Sequence, residues 1–189
     1  MKVGAVVLAA GRGRRMGGSK HLLRVDGVPL LARVLETLAR LEPIAQRVAV
    51  LREGDLDAER LALDLGAEVA WVPADRPGRS ASVRAGVAAI AEDRALLVAL
   101  ADQPFLSAAD FQALIAAPGP ERIVHARYRG QRGSPVLFGA MYRVKLMSLR
   151  GSEGGRAVIE AHPEDVQGVD LDPLRGRDLD RPEDLEAPS

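Results

Sequence analysis

The segment Leu8-Ala9-Ala10-Gly11-Arg12-Gly13-Arg14-Arg15-Met16-Gly17-Gly18-Ser19-Lys20 combines four glycines and four cations with no anion. Glycines let backbone N–H groups approach a phosphate, and clustered cations stabilise its charge. At about 4 Å and an effective dielectric near 20, one such pair gains roughly 4 kcal/mol before desolvation. A solvated basic loop would have the same composition. A second chemistry sits at Ala101-Asp102-Gln103-Pro104, where a carboxylate follows an apolar run and proline stops it. Such an aspartate can hold a hard cation or simply start a turn. Asp178 and Asp180 stand in Asp178-Leu179-Asp180-Arg181-Pro182-Glu183-Asp184-Leu185, and Asp180 also fits the N-cap of a short helix opening at Pro182. Ser80 and Ser82 offer small hydroxyls that can hydrogen-bond a pyrimidine edge while excluding a larger purine, and Ser80 also fits a helix cap.

Two familiar phosphate loops nearly match and fail. A dinucleotide fingerprint opening at Gly11-x-Gly13 needs glycine where Met16 stands, and an acidic residue where the second strand ends in Arg52. A Walker loop from Gly13 reaches Gly18 on spacing, but Ser19-Lys20 reverses the required order. Lys20 is one of only three lysines against 23 arginines, so a compact ammonium here runs against the chain's own usage.

The elements that must position these residues alternate along the chain. Val3–Leu8, Val48–Leu51, Val69–Val72 and Leu96–Leu100 are nearly continuous apolar runs, as in strands covered on both faces. Leu30, Leu31, Val34, Leu35, Leu38 and Leu41 form a helical stripe. Val83, Val87 and Ile90 form a second, and Phe111, Leu114 and Ile115 a third, with Ser107 as its N-cap and Asp110 in its first turn. Ile123–Tyr128 and Pro135–Phe138 read as later strands around a turn at Arg129–Gly133. The pattern predicts a three-layer α/β/α domain over residues 1–189, Rossmann-like, with a mostly parallel, mixed sheet. Ligands then bind beyond the carboxyl ends of the strands, in the loops after Leu8, Val72 and Leu100.

Composition narrows the function. Lys plus Arg and Asp plus Glu are both 26, which argues against a nucleic-acid binder, and six aromatics leave few stacking platforms. No cysteine is present, which removes disulfides and thiolate chemistry and is compatible with a reducing, cytoplasmic setting. The longest apolar runs fall far short of the ~20 residues a membrane span needs. Lys2 and the apolar run after it could pass for a signal peptide, but Arg12, Arg14 and Arg15 follow with no small-x-small site, so a buried strand is the better reading. His125 and His162 have no ligand partners at helical or short-range spacing and read as structural or surface residues; His21, beside Lys20, stays open.

The first loop resembles the signature L-A-A-G-x-x-x-R-M-G…K-x-L-L of nucleotidyltransferases with a GT-A-like fold, the MobA-like NTP transferases, with Arg15-Met16-Gly17 and Lys20 in their expected places. Asp102-Gln103-Pro104 and Gly78-Arg79-Ser80-Ala81-Ser82-Val83-Arg84-Ala85-Gly86 resemble the molybdenum cofactor cytidylyltransferase branch. The resemblance implies a Mg²⁺-dependent enzyme that transfers CMP from CTP to the phosphate of molybdopterin and releases pyrophosphate. It assigns Leu8, Ala9, Ala10, Gly11, Gly13, Arg15, Lys20, Gly78, Ser80 and Ser82 to the nucleotide. Arg15, Lys20 and Asp102 become catalytic, and Asp102 with Asp180 holds the metal, Asp178 standing in reserve. Gly133-Ser134-Pro135-Val136-Leu137-Phe138 and Gly151-Ser152-Glu153-Gly154-Gly155-Arg156 resemble segments near the second substrate, but Ser134 replaces a histidine and the second segment loses its acidic-Ala pattern. The alternatives are a GTP-using branch member, a transferase for another small phosphorylated acceptor, and a non-catalytic protein that delivers cofactor to a client molybdoenzyme.

Overall fold

The computed structural model describes residues 2–11, 19–73, 75, 78–117 and 122–179. Its first strand, β1 (Val3–Leu8), is buried along almost its whole length, as its unbroken apolar sequence requires. β4 (Ile44–Arg52) pairs with it in parallel on one side and β6 (Ala95–Leu100) on the other, while β5 (Glu68–Val72) adds in parallel beyond β4. β7 (Ile123–Tyr128) and β8 (Gln131–Phe138) form a hairpin, and β8 runs antiparallel to β6. β9 (Val166–Asp170) closes the edge in parallel with β7, giving a seven-stranded sheet ordered β5-β4-β1-β6-β8-β7-β9 in which only β8 is reversed. The mostly parallel, mixed sheet is therefore the one expected.

The hairpin turn is shorter than the glycine-rich stretch suggests. Arg129 and Gly130 alone make it, both with positive φ (50° and 77°), and Gln131–Gly133 already belong to β8. Two successive left-handed residues match the twist of the flanking strands, which is why a two-residue loop suffices. Asp26-Gly27 does the same (φ 51° and 78°) between the short strands β2 (Arg24–Val25) and β3 (Val28–Pro29).

Helices cover both faces. α1 (Leu30–Ala39), α2 (Leu56–Asp64) and α4 (Ala108–Ile115) lie over one core that includes Val7, Leu35, Ala58, Leu97 and Phe111. α3 (Arg79–Ala89), α5 (Arg143–Met147) and α6 (Gly155–Ala161) lie over the other, with Val6, Val83, Val87, Phe138, Leu146 and Ile159. This is the expected three-layer α/β/α arrangement. Ser107 caps α4 as anticipated: its side chain accepts from the Asp110 N–H while the Asp110 carboxylate accepts from the Ser107 N–H, so two orphan donors are satisfied reciprocally. Among the described residues no helix is long and apolar enough to cross a membrane.

Candidate active site

Register brings the phosphate loop and the acidic corner to one edge. Leu8 pairs with both Val50 and Leu100, so β1 and β6 end level while β4 runs two residues further to Arg52, and the Ala101 N–H donates back to the Leu8 carbonyl. Ala9 is buried, Ala10 is half-buried with its carbonyl accepting from Arg52, and Gly11 is exposed with open space where a Cβ would stand. Gly13 and Arg15 lie outside the described residues. The chain continues at Ser19 into a single 3₁₀ turn, Lys20–Leu22, which aims Lys20 back at the sheet edge.

There Lys20 Nζ meets Asp102 Oδ2 at 2.8 Å, across 82 residues of sequence. The two side chains retain 16% and 29% of their exposure, so the pair is held by the fold yet open to a ligand. Next to it, Asp55 Oδ2 accepts from Ser19 Oγ at 2.9 Å and stands 2.9 Å from His21 Nε2, too poorly aligned for a straight hydrogen bond. Burial pushes the His21 imidazole below its usual pKa, an effect that the Asp55 carboxylate only partly offsets. His21 is thus a buried brace under Lys20, and nothing in its local sequence points to Asp55.

The carboxyl-terminal segment returns to the same corner. The Leu179 N–H donates to the Asp102 carbonyl, and Gln103 Nε2 donates to Asp178 Oδ1 (2.8 Å) and to the Gly176 carbonyl (3.1 Å). Arg175 Nη1 donates to Ser107 Oγ and Asp110 Oδ2, and a Cβ at Gly176 would strike the Tyr128 ring at 2.2 Å. Asp178 thus accepts from Gln103, one residue from Asp102; Asp180 lies outside the described residues.

Gly78, not Ser80, caps α3, and no side-chain bond is made there. Ser80 is 3% exposed and donates its proton to the Gly151 carbonyl at 2.9 Å. The Ser82 hydroxyl likewise donates to the Gly78 carbonyl. Both hydroxyl protons that sequence offered to a base edge are thus engaged within the protein. His125 is buried, with Nδ1 2.7 Å from the Ala126 carbonyl, a structural role as expected. His162, unlike the expectation from spacing, does have short-range partners: the 3₁₀ turn Pro163–Asp165 folds Glu164 and Asp165 back so that one ligand atom from each of the three lies within 4.8 Å of the others. Asp165 already accepts from Tyr142 Oη at 2.6 Å.

Beside the Lys20–Asp102 corner opens a cavity of about 630 Å³, floored by Leu8, Val98, Leu100, Val136 and Phe138. Among the described residues Arg79, Arg132 and Arg156 line it and no acidic residue does, so it suits an anion with an apolar body. The Gly133-Ser134 and Gly154-Gly155-Arg156 segments, distant in sequence, meet here; a Cβ at Gly155 would lie 2.9 Å from the Phe138 ring.

The family profile described as the MobA-like NTP transferase domain matches residues 5–166. The chain is 38% identical over 138 residues to a molybdenum cofactor guanylyltransferase of Rhodobacter capsulatus, covering 69% of this chain and 65% of that protein, just under two thirds of its length. It is 31% identical over 200 residues to the nicotine blue oxidoreductase of Paenarthrobacter nicotinovorans, covering 97% of this chain and 94% of that one. Among solved structures, Rv0371c of Mycobacterium tuberculosis H37Rv superposes with a TM-score of 0.83 at 28% identity, over 97% of this chain and 96% of that chain; Rv0371c has also been solved in complex with manganese.

Proposed function

The chain belongs to the MobA-like NTP transferase family, and from that premise we propose that it transfers CMP from CTP to the terminal phosphate of a molybdopterin-type acceptor. The observation that carries this reading is the Lys20–Asp102 pair, set where β1 and β6 end beside an arginine-lined cavity. The loop after Leu8 takes the triphosphate, with Gly13 and Arg15 assigned to it by resemblance. The cavity takes the acceptor, its arginines binding the phosphate and its apolar floor the ring system.

An acceptor phosphate monoester has a second pKa near about 6 and is mostly dianionic at neutral pH, so it needs no general base. One of its oxygens forms a bond to the α-phosphorus of CTP. The bond from that phosphorus to the oxygen bridging it to the β-phosphorus breaks, and pyrophosphate leaves with the electron pair. Lys20 stabilises the charge gathered on the triphosphate, and the cavity walls hold the two substrates in line.

Asp102 suits a divalent cation on its own chemistry. It is a hard carboxylate at a strand end, partly open to solvent, and Oδ1 takes no hydrogen bond from the described residues. Asp102, with Asp180 by resemblance, would hold Mg²⁺, which supplies charge neutralisation at the phosphates when bound.

Thermal shift with a divalent cation and CTP, GTP, ATP, UTP, NAD or NADP in turn tests the reading. A ligand at about 100-fold its Kd adds roughly 2.7 kcal/mol, or about 5–10 °C for this size of chain. A shift with CTP, followed by pyrophosphate release once molybdopterin is added, supports it. A preference for GTP moves the protein to the guanylyl-transferring reading, which the Rhodobacter relative favours. The near full-length match to an oxidoreductase favours a second reading, in which the same cradle serves a redox reaction, for which NAD and NADP are the probes. A shift with NAD or NADP and none with CTP would select it.

A further inference from the structure

We infer that Ser80 is a positioning residue for the second substrate, tying the loop over residues 149–154 to α3, rather than a reader of the nucleobase. A serine hydroxyl has a single proton. That of Ser80 goes to the Gly151 carbonyl at 2.9 Å, and the residue is 3% exposed. A base edge can receive this proton only if the loop lets it go. Arg84, one turn further along α3, donates Nη1 to the Leu149 carbonyl at 2.6 Å, so one helix face grips the loop at two carbonyls, those of Leu149 and Gly151.

The backbone is cut to this contact. A Cβ at Gly78 would stand 3.1 Å from the Gly151 carbonyl oxygen, and Gly151 itself has φ +55°, in the left-handed region that glycine adopts freely. Around the second tether the loop closes on itself: the Arg150 N–H donates to Glu153 Oε2 and the Glu153 N–H to the Arg150 carbonyl. It then runs into Gly154, Gly155 and Arg156, which form one wall of the 630 Å³ cavity, while Arg79 and Val83 of α3 supply the wall beside it. Ser80 and Arg84 thus fix the distance between two walls of one cavity without reaching into it. The effect on the acceptor rests on the transferase reading above; the tether itself does not.

The test is Ser80→Ala in the full chain, read three ways. Hydrogen exchange should show the Glu153 amide and its neighbours opening at least tenfold faster. Thermal shifts with CTP, GTP and UTP should keep their order and size. With molybdopterin as acceptor, KM for the acceptor should rise about tenfold at nearly unchanged kcat. Arg84→Gln should reproduce the pattern, and Ser80→Thr, which keeps the donor, should restore loop protection. Unaltered exchange over residues 149–154 in both Ser80→Ala and Arg84→Gln would overturn the tether. A changed nucleotide preference in Ser80→Ala would return the residue to base recognition. If Ser80→Ala does not fold, Arg84→Gln alone decides, by the same readouts. If no nucleotide binds even the parent protein, the transferase reading fails while hydrogen exchange still tests the tether.

Discussion

Removing the Lys20 ammonium should tighten metal binding in the absence of nucleotide, and loosen it in its presence. In the free protein Lys20 Nζ sits 2.8 Å from Asp102 Oδ2, so any cation that Asp102 takes must displace or share with a resident positive charge. At an effective dielectric near 20 the gross attraction at this distance is about 6 kcal/mol. Both side chains keep some solvent contact, 16% and 29%, and screening and desolvation leave a net of roughly 1.5 kcal/mol. That net is about one decade in affinity. Lys20→Gln should therefore raise Mn²⁺ affinity about tenfold when Mn²⁺ is titrated alone, with the free ion followed by electron paramagnetic resonance. With CTP present the order reverses, because the triphosphate loses its ammonium partner while the metal keeps Asp102. The parent protein should accordingly bind Mn²⁺ more tightly with CTP than without, and the variant should lose most of that enhancement. Equal or weaker Mn²⁺ binding by Lys20→Gln without CTP would refute the exchange of partners at Asp102.

Stability should fall in acid through His21. Burial holds its folded pKa below the unfolded value near about 6.5, so as pH drops the unfolded chain takes up the proton first. The contribution is complete above about pH 6.5 and is lost below it, with a slope of at most about 1.4 kcal/mol per pH unit. Urea midpoints at pH 7 and pH 5 should converge less in the parent than in His21→Gln, and an identical acid loss in both would assign it to other groups. Gly86→Ala should cost about 2 kcal/mol, because its Cβ would lie 2.2 Å from Val6 Cγ1 and 2.8 Å from Val50 Cγ2, with the gain in helix propensity offsetting part. For a chain of this size that is a fall of about 4–8 °C in Tm. An unchanged Tm would mean that α3 can lift off the sheet at no cost.

The parts of the fold that could be read from sequence are those whose burial is one-sided or complete. Val3–Leu8 and Leu96–Leu100 are strands within a residue of expectation because helices cover both faces of the sheet there and demand uninterrupted apolar sequence, and Ile123–Tyr128 matches in its bounds with its first four residues buried. β9 escaped notice because Val166-Gln167-Gly168-Val169-Asp170 is an edge strand, half-exposed throughout, with no apolar run to mark it. α2 escaped for a related reason. It buries only Ala58 and Ala62 and leaves Leu56 and Leu63 at 68% and 55% exposure, so its large apolar residues trace no inward stripe. β4 begins at Ile44, earlier than the Val48–Leu51 run, because Gln46 and Arg47 spend their polar ends on neighbouring chain: Gln46 on the Ala89 carbonyl, Arg47 on those of Leu35 and Gly66.

The site divides along the same physical line. Lys20 and Asp102 were legible because each is defined by something local: a lysine at the end of a glycine loop, and an aspartate between a buried strand and a proline. The level ends of β1 and β6 put both following loops at one edge of the sheet, where the Lys20–Leu22 turn meets Asp102. Pairings such as Gln103 with Asp178, His21 with Asp55 and Ser80 with the Gly151 carbonyl have no local signature, since each is made by a connection returning from far along the chain. These long-range contacts decide which polar groups remain available to a ligand. Ser80 shows the consequence: its residue type and place at a helix start fit a base-reading hydroxyl, yet its one proton is held by a loop 71 residues away. Motif resemblance therefore locates where a nucleotide goes more securely than it assigns what each side chain there contributes, because a motif records residue types and the contribution depends on hydrogen bonds already made.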